Sequence, residues 1–169
     1  MSTSLTANLT ALVITVSDRV AAGEAEDLSG PAVTAALVGH GFKVVGAVVV
    51  SDDVEQVAAA LREAALTAAL VVTTGGTGLG ARDRTPEATT AVAGFLVPGI
   101  AEAIRRAGSA STPMAILSRG VAAVVGKSLV LNLPGSPAGA VESLEAVAAV
   151  LPHAIEVLSG ADHLRGASP

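Results

Sequence analysis

Cysteine is absent from this 169-residue chain, and its aromatic residues amount to two phenylalanines, with no tyrosine and no tryptophan. The first absence excludes disulfides, thiolate catalysis and cysteine-ligated zinc. The second removes the platforms on which single-stranded nucleic acids stack their bases. Positive charge is scarce too. Ten Lys and Arg stand against fifteen Asp and Glu, a formal net charge of −5, which is the wrong sign for a binder of phosphate backbones. No nucleic-acid partner is expected. The three histidines, His40, His153 and His163, are scattered and have no metal-ligand spacing. No apolar run approaches the roughly 20 residues of a membrane span, and the first residues lack the basic start of a signal peptide. A cytoplasmic protein with no membrane partner is the expectation.

What is present is aliphatic. Hydrophobic residues make up 51% of the chain, so the core is built from Ala, Val, Leu and Ile. The length suits one domain, expected over residues 9–160 between a flexible start (1–8) and a flexible tail (161–169). Leu9–Val16 and Phe42–Val50 are short apolar runs of the kind found in covered strands, and Leu70–Thr74 is a third. Helices are expected from Ser29 to Val38 and from Val54 to Leu66, giving a β-α-β-α-β order and a parallel sheet. Pro98–Ala107 reads as an amphipathic helix with Arg105 and Arg106 as its solvated end. Met114–Val125 and Lys127–Leu133 read as two strands around a Gly126-Lys127 turn, and Ala138–Leu158 as two helices divided at Pro152.

The stretch Val71–Thr89, VVTTGGTGLGARDRTPEAT, organises the rest. An apolar strand breaks into Gly75, Gly76, Gly78 and Gly80, which bring backbone N–H groups close to a ligand and can form an anion-binding concavity. Asp83 sits between Arg82 and Arg84. Thr85-Pro86-Glu87 then reads as a helix N-cap followed by proline and an acid in the first turn. Two decoys fail on spacing. Gly76–Ala81 fits the relaxed dinucleotide pattern, but it follows the third strand, and an Ala-Arg-Asp-Arg segment intervenes before the helix. Gly120 to Ser128 places five residues between its glycines where a phosphate-binding P-loop needs four.

Ligands of parallel sheets sit outside the carboxyl ends of the strands. That rim holds Ser17-Asp18, Asp52 and the glycine loop with Asp83. Asp53 can instead cap the helix that follows it. Asn132-Leu133-Pro134-Gly135-Ser136-Pro137 is a second loop leading into a helix, where Ser136 is either an anion site or a plain cap.

The motifs TVSDR (Thr15–Arg19), DLSGP (Asp27–Pro31), TTGGTG with RDRTPEAT (Thr73–Gly78, Arg82–Thr89), LSR (Leu117–Arg119), NLPGSP (Asn132–Pro137) and HAIEVLSG (His153–Gly160) stand in one order. In that series the chain resembles the Mog/MoaB family of molybdenum-cofactor biosynthesis proteins from Val13 to Gly160. The resemblance implies a three-layer α/β sandwich, its mostly parallel central sheet flanked by helices and a small hairpin. It also implies a homotrimer, with some relatives hexameric. The implied activity is Mg2+-dependent adenylyl transfer from ATP to the terminal phosphate of molybdopterin with release of pyrophosphate; the product then passes to metal insertion, which a partner protein can perform. The implied alternative is a catalytically silent molybdopterin-binding or assembly protein of the same family.

By position, the family's catalytic aspartates fall on Asp52 and Asp83, which are also the candidate Mg2+ ligands. The substrate and phosphate candidates are Ser17, Asp18, Thr74, Gly75, Gly76, Thr77, Gly78, Arg82 and Thr85. Ser118, Pro134, Gly135 and Ser136 are candidates for molybdopterin itself.

Overall fold

The computed structural model describes residues 9–160. The expectations for residues 1–8 and 161–169, and His163, lie outside that range. In chain order the elements are β1 (Thr10–Val16), α1 (Asp18–Ala21), α2 (Ser29–Gly39), β2 (Lys43–Val50), α3 (Val54–Ala64), β3 (Leu70–Thr74) and α4 (Thr85–Val92). They continue with β4 (Phe95–Leu96), α5 (Pro98–Ser111), a 3-10 segment (Pro113–Leu117), β5 (Ala122–Val125), β6 (Ser128–Leu133), α6 (Pro137–Val147), a second 3-10 turn (Ala148–Val150) and α7 (Leu151–Leu158).

The strands form one sheet in the order β2-β1-β3-β6-β5-β4. β2, β1, β3 and β6 are parallel, while β5 runs antiparallel to both β6 and β4. The chain moves from β1 outward to β2, then crosses back to place β3 on the other side of β1. A switch point therefore opens between β1 and β3, where ligands of open α/β sheets bind. Register aligns the carboxyl ends there: Val16 with Val50, Thr15 with Thr74, and Thr74 with Leu133.

Strand alternation sorts the aliphatic residues into two layers. Ala11, Val13, Leu70, Val72, Leu129, Leu131 and Leu133 face α2, α5, α6 and α7 through Leu37, Ile104, Leu144 and Leu151. Ile14, Val16, Val71 and Val130 face α3 and α4 through Val57, Leu61 and Ala88. Helices thus cover both faces of the sheet, the expected three-layer α/β sandwich.

Two elements and one side chain depart from expectation. Met114–Val125 is not one strand: the 3-10 segment holds Met114 and Ile116 outward, 63% and 67% exposed, and only Ala122–Val125 pairs in the sheet. Pro113 fixes the backbone at its start, so apolar content there marks surface rather than strand. Helix α5 runs on to Ser111 and passes through Gly108, where the absence of a side chain lets Ala115 of the 3-10 segment pack against it; a Cβ at Gly108 would lie 2.9 Å from the Ala115 Cβ. Arg105 is not a solvated end either. Its Nη1 donates to the Gly120 carbonyl at 2.9 Å and to the Ser118 carbonyl at 3.4 Å.

Candidate functional site

Two cavities adjoin at the carboxyl rim of the sheet, and the glycine loop after β3 forms the wall between them. The first, of about 380 Å3, is lined by Ser17, Asp27, Ser29, Asp52, Thr74, Gly75, Gly76, Asp83 and Gly135, among others. The second, of about 270 Å3, is more apolar. Thr77, Gly78, Ile104, Arg105, Met114, Leu117, Ser118, Pro134, Ser136 and Glu142 contribute to it.

The loop has this shape because two of its glycines are irreplaceable there. Gly75 and Gly76 adopt φ of +93° and +67°, a region that side chains disfavour. A Cβ at Gly75 would overlap the Val16 carbonyl oxygen, and one at Gly76 would overlap the Thr85 hydroxyl. The loop therefore lies directly on the end of β1. Gly75 N–H donates to the Leu133 carbonyl at 3.1 Å, and Gly80 N–H donates to Asp83 Oδ2 at 2.8 Å. Among the described residues, the N–H groups of Gly76, Thr77 and Gly78 meet no protein acceptor. These three are the free donors of the concavity.

The acids on the rim are latched together. Asp18 N–H donates to Asp52 Oδ2 at 2.8 Å, and Asp52 N–H donates to Asp18 Oδ1 at 2.9 Å. Arg82 then grips Asp18 with both Nε and Nη2 at 2.9 Å. That pairing, with the Asp52 N–H, holds the Asp18 carboxyl below the usual aspartate range. Asp52 behaves oppositely. Burial pushes its pKa up, and the nearby charges of Asp18 and Asp83 push in the same direction. Asp53 is the cap of α3, its Oδ1 accepting from Gln56 N–H at 2.9 Å.

Thr85 is the first residue of α4 rather than its cap, and its buried hydroxyl donates to the Gly75 carbonyl at 2.9 Å. It braces the loop from beneath. Thr74 is also buried, hydrogen-bonded to Ser29 across the cleft floor at 2.8 Å. Ser17 caps α1 and Ser136 caps α6, with Val20 N–H and Gly139 N–H as donors. Arg82 is occupied by Asp18 rather than pointing free toward the loop donors. Asp52, Asp83, Ser17, Thr74, Gly75, Gly76 and Gly135 thus share the first cavity, and Thr77, Gly78, Ser118, Pro134 and Ser136 the second.

Sequence reasoning missed Arg119, whose guanidinium donates to the Gly78 and Asp83 carbonyls and pairs with Glu87. It also missed Glu142 in the second cavity and Asp27 in the first. A lone arginine between Ser118 and Gly120, interrupting apolar residues, was the available signal for Arg119.

The donor set suits a hard cation. Asp52 and Asp83 offer only oxygens, and Mg2+ is held by one or two carboxylates together with substrate phosphates. Among the described residues no cluster of three acidic, histidine or cysteine groups could hold a metal alone. Burial is the main cause of the raised Asp52 pKa, with the charges of Asp18 and Asp83 adding to it.

Residues 12–153 match the family described as the probable molybdopterin binding domain. The chain is 44% identical over 95% of its length to a molybdenum cofactor biosynthesis bifunctional protein of Synechococcus elongatus, and spans about half of that relative (51%). It is 38% identical to a molybdopterin adenylyltransferase of Helicobacter pylori over 88% of this chain and 86% of that one. Among solved structures, the molybdopterin biosynthesis enzyme MoaB of Thermus thermophilus superposes with a TM-score of 0.85 at 47% identity, over 90% of this chain and 97% of that one.

Proposed function

The chain belongs to the family of the probable molybdopterin binding domain and to molybdenum cofactor biosynthesis, and from that membership we propose that it is a molybdopterin adenylyltransferase. The terminal phosphate of molybdopterin attacks the α-phosphorus of ATP. A phosphorus–oxygen bond forms as the bond to pyrophosphate breaks, and adenylyl-molybdopterin and pyrophosphate leave. One observation carries this reading: Asp52 and Asp83 line a single cleft with the glycine loop, whose three unpaired N–H groups adjoin it.

Each residue has a definable task. Transfer of this kind depends on positioning and charge stabilisation rather than on a covalent enzyme intermediate. The Gly76, Thr77 and Gly78 N–H groups donate to phosphate oxygens without having to reorganise. Asp52 and Asp83 would hold Mg2+, which would supply neutralising charge to the triphosphate. The more apolar second cavity, with Ser118, Pro134 and Ser136, takes the pterin, so that the two substrates meet across the loop. Arg82 fixes Asp18, and through the reciprocal N–H bonds fixes Asp52. Assembly as a closed homotrimer, or a hexamer built from trimers, accompanies this reading. Its support is the apolar edge strand β2, where Val45, Val48 and Val49 are each more than 40% exposed, a surface that proteins ordinarily cover.

The test is pyrophosphate release from ATP by purified protein with Mg2+ and molybdopterin, beside Asp52→Ala and Asp83→Ala. Release that requires molybdopterin and is lost in both folded variants is expected. No release from folded protein that still binds molybdopterin overturns the activity and leaves a silent pterin-binding relative.

A further inference from the structure

Arg119 lies in the link between the 3-10 segment and β5, outside the glycine loop and outside both candidate acids. Its guanidinium nevertheless holds that loop at two points. Nε donates to the Gly78 carbonyl at 2.8 Å, and Nη2 donates to the Asp83 carbonyl at 2.6 Å. Nη1 pairs with Glu87 in the first turn of α4. The Arg119 N–H adds a fourth bond, to the Thr77 carbonyl at 2.9 Å.

These contacts close a circuit around the segment Gly78 to Asp83. Its middle is held more lightly: Asp83 N–H donates to the Gly80 carbonyl at 3.0 Å, Arg84 Nε to the Ala81 carbonyl at 3.3 Å, and exposed Arg82 pairs with Asp18. Leu79, Gly80, Ala81 and Arg82 are all exposed, and among the described residues Asp83 Oδ2 accepts only from the Gly80 N–H within its own turn. A Cβ at Gly78 or Gly80 would come within 2.9 Å of that carboxylate, so the turn is wrapped closely around Asp83. An exposed turn with two glycines has many conformations open to it. A planar guanidinium with donors in fixed directions can bridge its two ends, whereas an ammonium cannot match both. Glu87 fixes the guanidinium in turn, and its own carboxyl is held below the usual range by the Arg119 hydrogen bond. Arg119 also has a neighbour on the other side. Ser118 lines the second cavity, and Arg105 pins its carbonyl and that of Gly120.

We propose that Arg119 is a positioning residue that acts through Asp83: it holds the ends of the Gly78–Asp83 turn so that the Asp83 carboxylate faces the first cavity before substrate arrives. The catalytic consequence rests on the adenylyl-transfer reading given above. The clamp itself is a property of the fold.

Two readouts keep these separable. Amide hydrogen exchange is measured on the whole protein for wild type, Arg119→Lys, Arg119→Gln and Glu87→Gln, with Arg106→Gln as control. In the Arg119 variants, exchange of the Gly80 and Asp83 amides, the two in the turn that hold hydrogen bonds, is expected to accelerate about tenfold or more, with β6 and α6 unchanged. Glu87→Gln is expected to move the same amides less. Pyrophosphate release is expected to show kcat lowered about 30-fold or more and KM for ATP changed less than about threefold, the signature of lost orientation rather than lost binding. Arg119→Lys is expected to rescue only a minor part, because one ammonium cannot replace the fork. Unchanged exchange at the Gly80 and Asp83 amides in a folded variant overturns the clamp. A loosened turn with unchanged kcat overturns its role in positioning Asp83. Should wild type release no pyrophosphate, the proposed activity fails and the exchange comparison alone decides the clamp. Should Arg119→Gln not fold, Arg119→Lys and Glu87→Gln decide it.

Discussion

Asp18 and Asp52 each donate a backbone N–H to the other's carboxylate, at 2.8 and 2.9 Å. The ends of β1 and β2 are thereby joined by side chains where the ladder stops, and two like charges are held close. Arg82 makes this tolerable by neutralising Asp18. The arrangement leaves Asp52 as the acid with spare charge, beside Asp83.

The latch predicts coupling between Asp18 and Arg82. Asp18→Ala removes the acceptor for the Asp52 N–H and releases Arg82, whereas Asp18→Asn keeps one acceptor oxygen. Pyrophosphate release is expected to fall about tenfold or more for Asp18→Ala and less for Asp18→Asn. Arg82→Gln combined with Asp18→Asn is expected to be distinctly less harmful than the sum of the single changes, because each already breaks the same pair. Strict additivity in that cycle would show that the pair positions nothing.

The opposed shifts of the two acids predict a titration order. Burial and neighbouring charge raise Asp52 above the ordinary 3.8, while Arg82 lowers Asp18 below it. A raised folded pKa means that the folded state binds its proton more tightly than the unfolded chain does. Ionised Asp52 therefore costs stability at neutral pH, and the cost disappears as pH falls through its folded pKa. Asp52→Asn is expected to be more stable than wild type near neutrality while losing activity by about 100-fold or more. Urea unfolding at several pH values reads the first effect and pyrophosphate release the second. A stability loss in Asp52→Asn at neutral pH would contradict the assignment.

Much of this architecture was legible because the core is aliphatic and sorted by period. Leu70–Thr74 stops at a glycine pair and is a strand to the residue, and Gly126-Lys127 is the turn its composition suggests, with Gly126 at φ +60°. Two kinds of feature were not legible. Met114 and Ile116 are apolar yet exposed, so hydropathy could not separate a surface 3-10 segment from a strand. The two-residue β4 is too short for any periodicity to register. At the site, the strand-end rule found Ser17, Asp18 and Asp52 beside the glycine loop, but Arg119 reaches Gly78 from 41 positions away. The arginine stands out among apolar neighbours, but a contact of that separation leaves no local pattern to say what it reaches.

Glycine substitutions should separate required geometry from mere turn preference. Gly75 combines φ of +93° with a Cβ position overlapping the Val16 carbonyl. Gly126 has positive φ but nothing within 4 Å of its Cβ position. Gly75→Ala is expected to destabilise by at least about 2 kcal/mol and to abolish activity. Gly126→Asn is expected to cost less than about 1 kcal/mol, since asparagine tolerates that conformation. Thermal melts and pyrophosphate release on both proteins check the contrast. Equal costs would mean that backbone conformation, rather than the close approach of the loop to β1, governs Gly75.

Glu87 gives the opposite pH signature to Asp52. Its hydrogen bond with Arg119 holds its carboxyl below the ordinary glutamate value of 4.5. A lowered folded pKa contributes stability that is fully present above the unfolded value and is lost as pH falls through the folded one. Glu87→Gln is therefore expected to be less stable than wild type from neutrality down to about pH 5, with the two converging as acid protonates the wild-type carboxyl. Glu87 is partly exposed, at 38% of its side chain, so the difference is expected to be modest and to shrink in salt. A second feature sharpens the expectation: Glu87 Oε2 is buried without a hydrogen-bond partner among the described residues. Glutamine places an amide NH2 or carbonyl oxygen at that position. If the amide nitrogen turns toward Arg119 instead, repulsion of the guanidinium should loosen the Gly78–Asp83 turn as well. Stability curves of the two proteins that stay parallel through the acid range would remove the Arg119–Glu87 pair as the cause.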